Sequence, residues 1–222
     1  MDWKSWHDKY DRPDSGMARR LQVVQSRIRT FLDESPPGPL RAISLCAGQG
    51  RDLLEVLAVH PRRADVRARL VELDEGNTRL AAEIARAAGL RGVDVVTGDA
   101  ALTDNFRDMV PADLVLVCGL FGNITGEDIE RTIDSCTALC RAGGTVIWTR
   151  HRDAPDLVPT ICNWFAARGF ERLWLSGEDD PFGVGVHRFA GTPRPLIAGR
   201  RMFTFVGYDV LKQRSTGGSA RS

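Results

Sequence analysis

From Leu40 onward the chain alternates short apolar runs with amphipathic stretches, and that rhythm limits the fold more than any other feature. Ala42–Cys46, Val66–Leu73, Val93–Val96, Asp113–Cys118 and Gly144–Trp148 read as strands. Helical stripes follow them: Leu53, Leu54 and Leu57; Leu80, Ile84 and Ala87; a weaker helix over 102–109; Ile129, Ile133, Cys136 and Cys140; then Leu157, Ile161, Trp164 and Phe165. Five βα units in about 130 residues predict an α/β fold, with helices on both faces of a parallel sheet. After Gly169 the rhythm breaks. Phe170–Leu175 and Val184–Phe189 are separated by a connection too short for a crossover helix, so they predict an antiparallel hairpin. Met202–Val206 is one more apolar run, either an edge strand or a segment packed over the site.

The chain has 222 residues, room for one full-sized domain. Met17, Leu21, Val24, Ile28 and Phe31 repeat at helical spacing behind Ser15 as N-cap, and Pro36-Pro37-Gly38-Pro39 ends that helix. The expected division is an N-terminal flap, helix and linker over 1–39, a main domain over 40–211 and a disordered tail over 212–222. A net charge of +1 gives no bulk attraction to nucleic acid or anionic membrane. No apolar stretch approaches membrane-span length, and the start has no apolar signal core. The five cysteines are scattered without a CxxC pair, which predicts reduced thiols in a cytoplasmic protein and no metal site.

Ligands of open α/β sheets lie beyond the carboxyl ends of the strands. After the first strand comes Cys46-Ala47-Gly48-Gln49-Gly50, whose glycines allow a tight turn and close backbone approach. Leu53 stands where a nicotinamide-binding loop has a third glycine or alanine. Glu72 ends the second strand, placed to accept hydrogen bonds from ribose hydroxyls, with Leu73 beside it; Asp74 is the expected cap of the next helix. Asp99 and Ala100 follow the third strand, suited to an adenine edge, and Cys118-Gly119-Leu120-Phe121-Gly122-Asn123 follows the fourth.

Together these four segments resemble the successive motifs of class I S-adenosylmethionine-dependent methyltransferases. The resemblance spans about residues 40 to 190, terminal hairpin included. Trp6-His7-Asp8-Lys9-Tyr10 and Trp148-Thr149-Arg150-His151 resemble a subgroup of small bacterial members. It implies a seven-stranded sheet of order 3-2-1-4-5-7-6 with an antiparallel seventh strand, S-adenosylmethionine as methyl donor and S-adenosylhomocysteine as product. It further implies that Gly48 and Gly50 line the methionine part, Glu72 takes the ribose, Asp99 and Ala100 the adenine, that Gly119 and Leu120 close the site, and that Cys46, Ala47, Gln49 and Leu73 also contact the cofactor.

For the acceptor, His151 past the fifth strand is the candidate base, with His7 and Tyr10 on the flap. Trp6, Phe121, Asn123 and Arg150 are the candidate substrate contacts. His187 and His60 read as structural. The expected activity is in-line methyl transfer to an O or N acceptor, most simply on a small molecule rather than nucleic acid. Two other readings stand beside it: a non-catalytic S-adenosylmethionine-binding module, and a nicotinamide-dependent oxidoreductase.

Overall fold

A computed structural model of the chain describes residues 15–217. The elements are α1 (Gly16–Glu34), β1 (Leu40–Leu45), α2 (Arg51–Val59), β2 (Val66–Glu72), α3 (Glu75–Ala87), β3 (Val93–Thr97), β4 (Ala112–Val117), α4 (Gly126–Leu139), β5 (Cys140–His151), α5 (Val158–Ala167), β6 (Phe170–Leu175), β7 (Phe182–Phe189) and α6 (Tyr208–Gly217). One seven-stranded sheet has the order β3-β2-β1-β4-β5-β7-β6. The first five strands are parallel; β7 runs antiparallel to both β5 and β6. The parallel strands and the antiparallel hairpin are those expected from the alternation, and the strand order is the one that the resemblance implies. Among the described residues no helix is long and apolar enough to cross a membrane.

Helices α1 and α2 pack on one face of the sheet, where Val24, Ile28 and Leu32 of α1 meet Leu53 and Leu57 of α2 beneath Leu40, Leu114 and Ile147. Each such fully buried aliphatic side chain contributes about 1.5–3 kcal/mol of burial energy. Helix α1 is thus part of the core. Ser15 caps it, its Oγ accepting from the Ala18 N–H at 3.0 Å, while Gln25 donates to the Arg51 carbonyl and the Glu55 carboxylate of α2. Helices α4 and α5 cover the other face around Phe106, Phe121, Trp148 and Phe165.

Trp148 fixes the antiparallel end of the sheet. Its ring stacks against Phe165 and His187, and its Nε1–H donates to His187 Nδ1 at 3.0 Å. Gly185 lies opposite Trp148 on β7, where an added Cβ would come within 2.4 Å of the indole; only glycine admits the ring so close to the backbone. His187 is structural, as its alternation with apolar neighbours suggested. His60 is too: its Nδ1 accepts from the Arg62 N–H and its Nε2 pairs with Asp33.

Three local expectations are corrected and one open alternative is decided. The segment near 102–109 forms only a 3-10 turn over Thr103–Phe106, because Asp99 and Asn105 bond to backbone groups there and compete with a helical ladder. Helix α3 buries Asn77, Thr78, Ala81 and Ala85 rather than Leu80, Ile84 and Ala87. The small residues and the Thr78–Thr97 hydroxyl contact at 2.8 Å face the sheet, leaving Leu80 exposed. Of the two readings open for Met202–Val206 the structure has the second: the run crosses the carboxyl ends of the sheet over the cleft, Met202 N–H donating to the Ala101 carbonyl and Val206 N–H to the Asn123 carbonyl. Residues 212–217 continue α6 instead of forming a disordered tail. The helix starts where the Tyr208 N–H is held by Asn123 Oδ1 at 3.0 Å, which supplies an anchor that the tail's composition does not reveal; residues 218–222 lie outside the described part.

Candidate active site at the carboxyl ends of the strands

The carboxyl ends of β1 to β4 open into a cleft of about 490 Å³, within the range of small-molecule sites. Its floor is the glycine loop. Gly50 sits in the left-handed region at φ 67° as the N-cap of α2, and an added Cβ would collide with Leu70 and Leu54. Cys46 also has a positive φ, 50°, so the loop holds a non-glycine residue in a conformation that stores strain. The loop is tied across the sheet by Ala47 N–H to the Val71 carbonyl at 3.0 Å.

Glu72 completes that tie. One carboxylate oxygen accepts from the Gly48 N–H at 2.9 Å and the other from the Asp74 N–H at 3.0 Å. Asp74 caps α3 as expected, accepting from the Asn77 N–H at 2.8 Å. At the end of β3, Asp99 accepts from the Ala101 N–H at 3.0 Å and pairs with Arg201 at 2.8 Å. At the end of β4, Gly119 donates to Thr149 Oγ1 at 2.7 Å. Asn123 donates from Nδ2 to the Gly119 carbonyl and accepts from Tyr208.

The cleft therefore brings together Cys46, Ala47, Gly48, Gln49, Glu72, Leu73, Asp99, Ala100, Gly119 and Asn123 from the sequence-derived set. Gly50, Leu120 and Phe121 stand behind its wall, Gly50 against Leu54 and Leu70, the other two wholly buried. Leu120 and Phe121 turn inward because the short turn after β4 feeds the aromatic cluster around Trp148. Arg150 is buried as well, donating to the Phe121 carbonyl, and its burial lowers its pKa; it is committed to the wall and does not reach the cleft. Trp6, His7 and Tyr10 lie outside the described residues.

Further residues line the cleft, and of these the sequence reading had offered only the Phe203–Phe205 run as a cover. Arg20, Leu21 and Val24 of α1 form one side, Asp52 of α2 the loop end, Thr149 and Asn77 the back, and Phe203 and Phe205 of the crossing segment a roof. The apolar stripe of α1 signalled Leu21 and Val24, though not which partner they faced. Asp52 is the chemical surprise: burial raises its pKa to about 6, within reach of neutral pH. Cys46 and Cys118 also face the cleft, both with pKa values raised by burial first and by nearby carboxylates second, so they stay thiols.

His151 lies in a second cavity of about 470 Å³, with Met17, Arg20, Pro181 and Phe182. Arg20 lines both cavities. The His151 ring packs edge-on against Tyr208, centroids 5.1 Å apart, and its Nδ1 accepts from the Asp153 N–H at 3.2 Å. Burial, then Arg150, lowers its pKa to about 4.

No curated protein matches the sequence. Solved structures match in fold. An O-methyltransferase family protein from Burkholderia thailandensis superposes with a TM-score of 0.65 at 17% identity, over 85% of this chain and 60% of that one. Magnesium protoporphyrin IX methyltransferase from Synechocystis PCC 6803, solved with bound SAM, gives 0.59 at 14% identity over 76% and 79%. The 1,6-didemethyltoxoflavin-N1-methyltransferase of Burkholderia thailandensis, with bound 1,6-didemethyltoxoflavin and S-adenosylhomocysteine, gives 0.60 at 17% over 77% and 78%. A family model described as "Putative methyltransferase" matches residues 16–167, from the first turn of α1 through α5 and across the whole cleft floor. The chain belongs to that methyltransferase family and has the class I methyltransferase fold.

Proposed function

We propose that the cleft binds S-adenosylmethionine and that the enzyme transfers its methyl group to an O or N atom of a small-molecule acceptor. The observation that carries this reading is the row of groups at three successive strand ends: the Gly48 loop, the Glu72 carboxylate tied to it, and Asp99 with Ala100. The donor set suits the molecule. Each Glu72 oxygen accepts one backbone N–H bond, which leaves lone pairs for two vicinal hydroxyls. Leu73, 71% exposed, and Phe205 offer apolar faces to a flat base at the mouth of the cleft. Asp52 at the loop end supplies a carboxylate for an ammonium group.

Bound there, S-adenosylmethionine would supply a sulfonium-activated methyl group for in-line displacement, leaving as the neutral thioether S-adenosylhomocysteine, with the acceptor's proton released to bulk water. The chain's residues then have three tasks. The glycine loop and Glu72 hold the donor, and α1 with the Phe203–Phe205 roof excludes water from it. Alignment of the two reactants is worth about 7–11 kcal/mol of the barrier, so positioning carries most of the catalysis. His151 is neutral at pH 7, and because Nδ1 accepts from the backbone, the proton sits on Nε2. It serves as a hydrogen-bond donor in that state rather than as a base. Binding of S-adenosylmethionine and S-adenosylhomocysteine to the full chain, followed by calorimetry, tests the reading; a folded protein that binds neither contradicts it.

A further inference from the structure

The groups assigned to the donor lie over three successive strands: Asp99 after β3, Glu72 at the end of β2 and the glycine loop after β1. Next in the sheet come β4 and β5, and their ends line the same cleft through Cys118, Gly119, Asn123 and Thr149. Thr149 is 1% exposed, yet it borders the cleft. Its Oγ1 accepts from the Gly119 N–H at 2.7 Å, and Asn123 Nδ2 fixes the other side of that residue by donating to the Gly119 carbonyl. Gly119 has φ 77°, and an added Cβ there would meet no atom within 4 Å, so the space beside it is open. Among the described residues the Thr149 hydroxyl accepts this one bond and donates to none. A buried hydroxyl proton at the edge of a cleft is satisfied by what the cleft holds.

We propose that the β4–β5 end of the cleft is the acceptor subsite and that it takes a hydroxyl compound, an alcohol or a phenol, whose oxygen accepts from the Thr149 Oγ1–H. The proposal rests on reading the β1–β3 end as the donor site. Oxygen suits the contact because it has two lone pairs, one for the Thr149 proton and one for the incoming methyl carbon. A neutral amine has a single lone pair, which the methyl group takes. It could still donate to Thr149, but the threonine proton would then stay without an acceptor. On methylation the O–C bond forms as the C–S bond breaks with its electron pair going to sulfur, the acceptor's own proton leaves to water, and Thr149 keeps its hydroxyl proton.

The test uses the full chain saturated with S-adenosylhomocysteine and the ring probes phenol, aniline and toluene, followed by NMR titration. In the wild type, phenol is expected to move the Gly119 amide proton downfield by more than aniline or toluene does, because a Thr149 hydroxyl that donates becomes a stronger acceptor for that N–H. Thr149→Val is expected to lower the phenol-to-toluene affinity ratio about three- to tenfold, the worth of one neutral hydrogen bond. Thr149→Ser keeps the hydroxyl and should hold that ratio within about twofold, as should the aniline-to-toluene ratio in every variant. A Gly119 amide indifferent to phenol, a phenol ratio that survives Thr149→Val, or an aniline ratio that falls with it overturns the proposal. The amide measurement needs no variant, so a Thr149→Val protein that fails to fold leaves the test intact. Failure of S-adenosylhomocysteine to bind is a separate result: it overturns the donor reading on which the proposal stands.

Discussion

The carboxylate of Glu72, at the end of β2, accepts a hydrogen bond from the Gly48 N–H of the loop after β1 at 2.9 Å. A side chain expected to hold a ribose also holds the loop that forms the cleft floor. Glu72→Ala should therefore weaken S-adenosylhomocysteine binding by about 1–3 kcal/mol, the scale of hydrogen bonds to a charged acceptor. Glu72→Gln, which keeps an acceptor oxygen for one of the two N–H groups, should lose less. Calorimetric affinities of the three proteins check the order; equal affinity in Glu72→Ala and wild type places the ribose elsewhere.

Asp52 gives the donor site a pH signature. With its pKa raised to about 6 by burial, the carboxyl must shed a proton to pair with an ammonium group. Donor affinity should be level above pH 7 and fall by up to about tenfold per unit below pH 6. In Asp52→Asn that acid limb should disappear and affinity at pH 8 should drop. Titrations from pH 5 to 8 on both proteins measure it.

His187 supplies a stability signature away from the site. Burial, then Arg172, lowers its pKa to about 4, so the unfolded chain binds the proton more readily than the folded one. The stabilisation is whole above pH 6.5 and is lost as pH falls toward 4, by on the order of 3 kcal/mol if the whole shift counts. His187→Gln retains an acceptor for Trp148 Nε1–H and should flatten this part of the curve. Urea denaturation at pH 7 and pH 5 provides the comparison.

Asn123, which lines the cleft, also ties its wall together. Its amide joins Gly119 to Tyr208, and its carbonyl accepts from Val206 and Gly207. Asn123→Ala should cost about 1–3 kcal/mol of stability through the unpaired backbone groups it leaves. The roof over the donor loosens with it, so thermal unfolding and S-adenosylhomocysteine affinity should fall together.

Much of the fold was legible because the signals were local. The run of Asp113 to Cys118 carries its own apolar pattern, as do the other four βα units, and these with the short connection before Val184 predict a parallel sheet ending in a hairpin. The glycine loop, Glu72 and Asp99 were legible because strand ends are where such a sheet binds ligands. What escaped depended on distant partners. Asp99 read as suited to an adenine edge, and its pairing with Arg201, about a hundred residues later, carried no local signal. Gly119 and Leu120 are neighbours in sequence, but one lines the cleft and the other enters the core. Asp52 carries no sequence signal of its own in a helix's first turn, and its burial at the cleft is what makes it unusual.

The most direct measurement is calorimetric titration of the purified full chain with S-adenosylmethionine, S-adenosylhomocysteine and the nicotinamide dinucleotides. The account predicts micromolar binding of the first two and none of the dinucleotides. Folded protein that binds a dinucleotide, or binds neither sulfur compound, contradicts it.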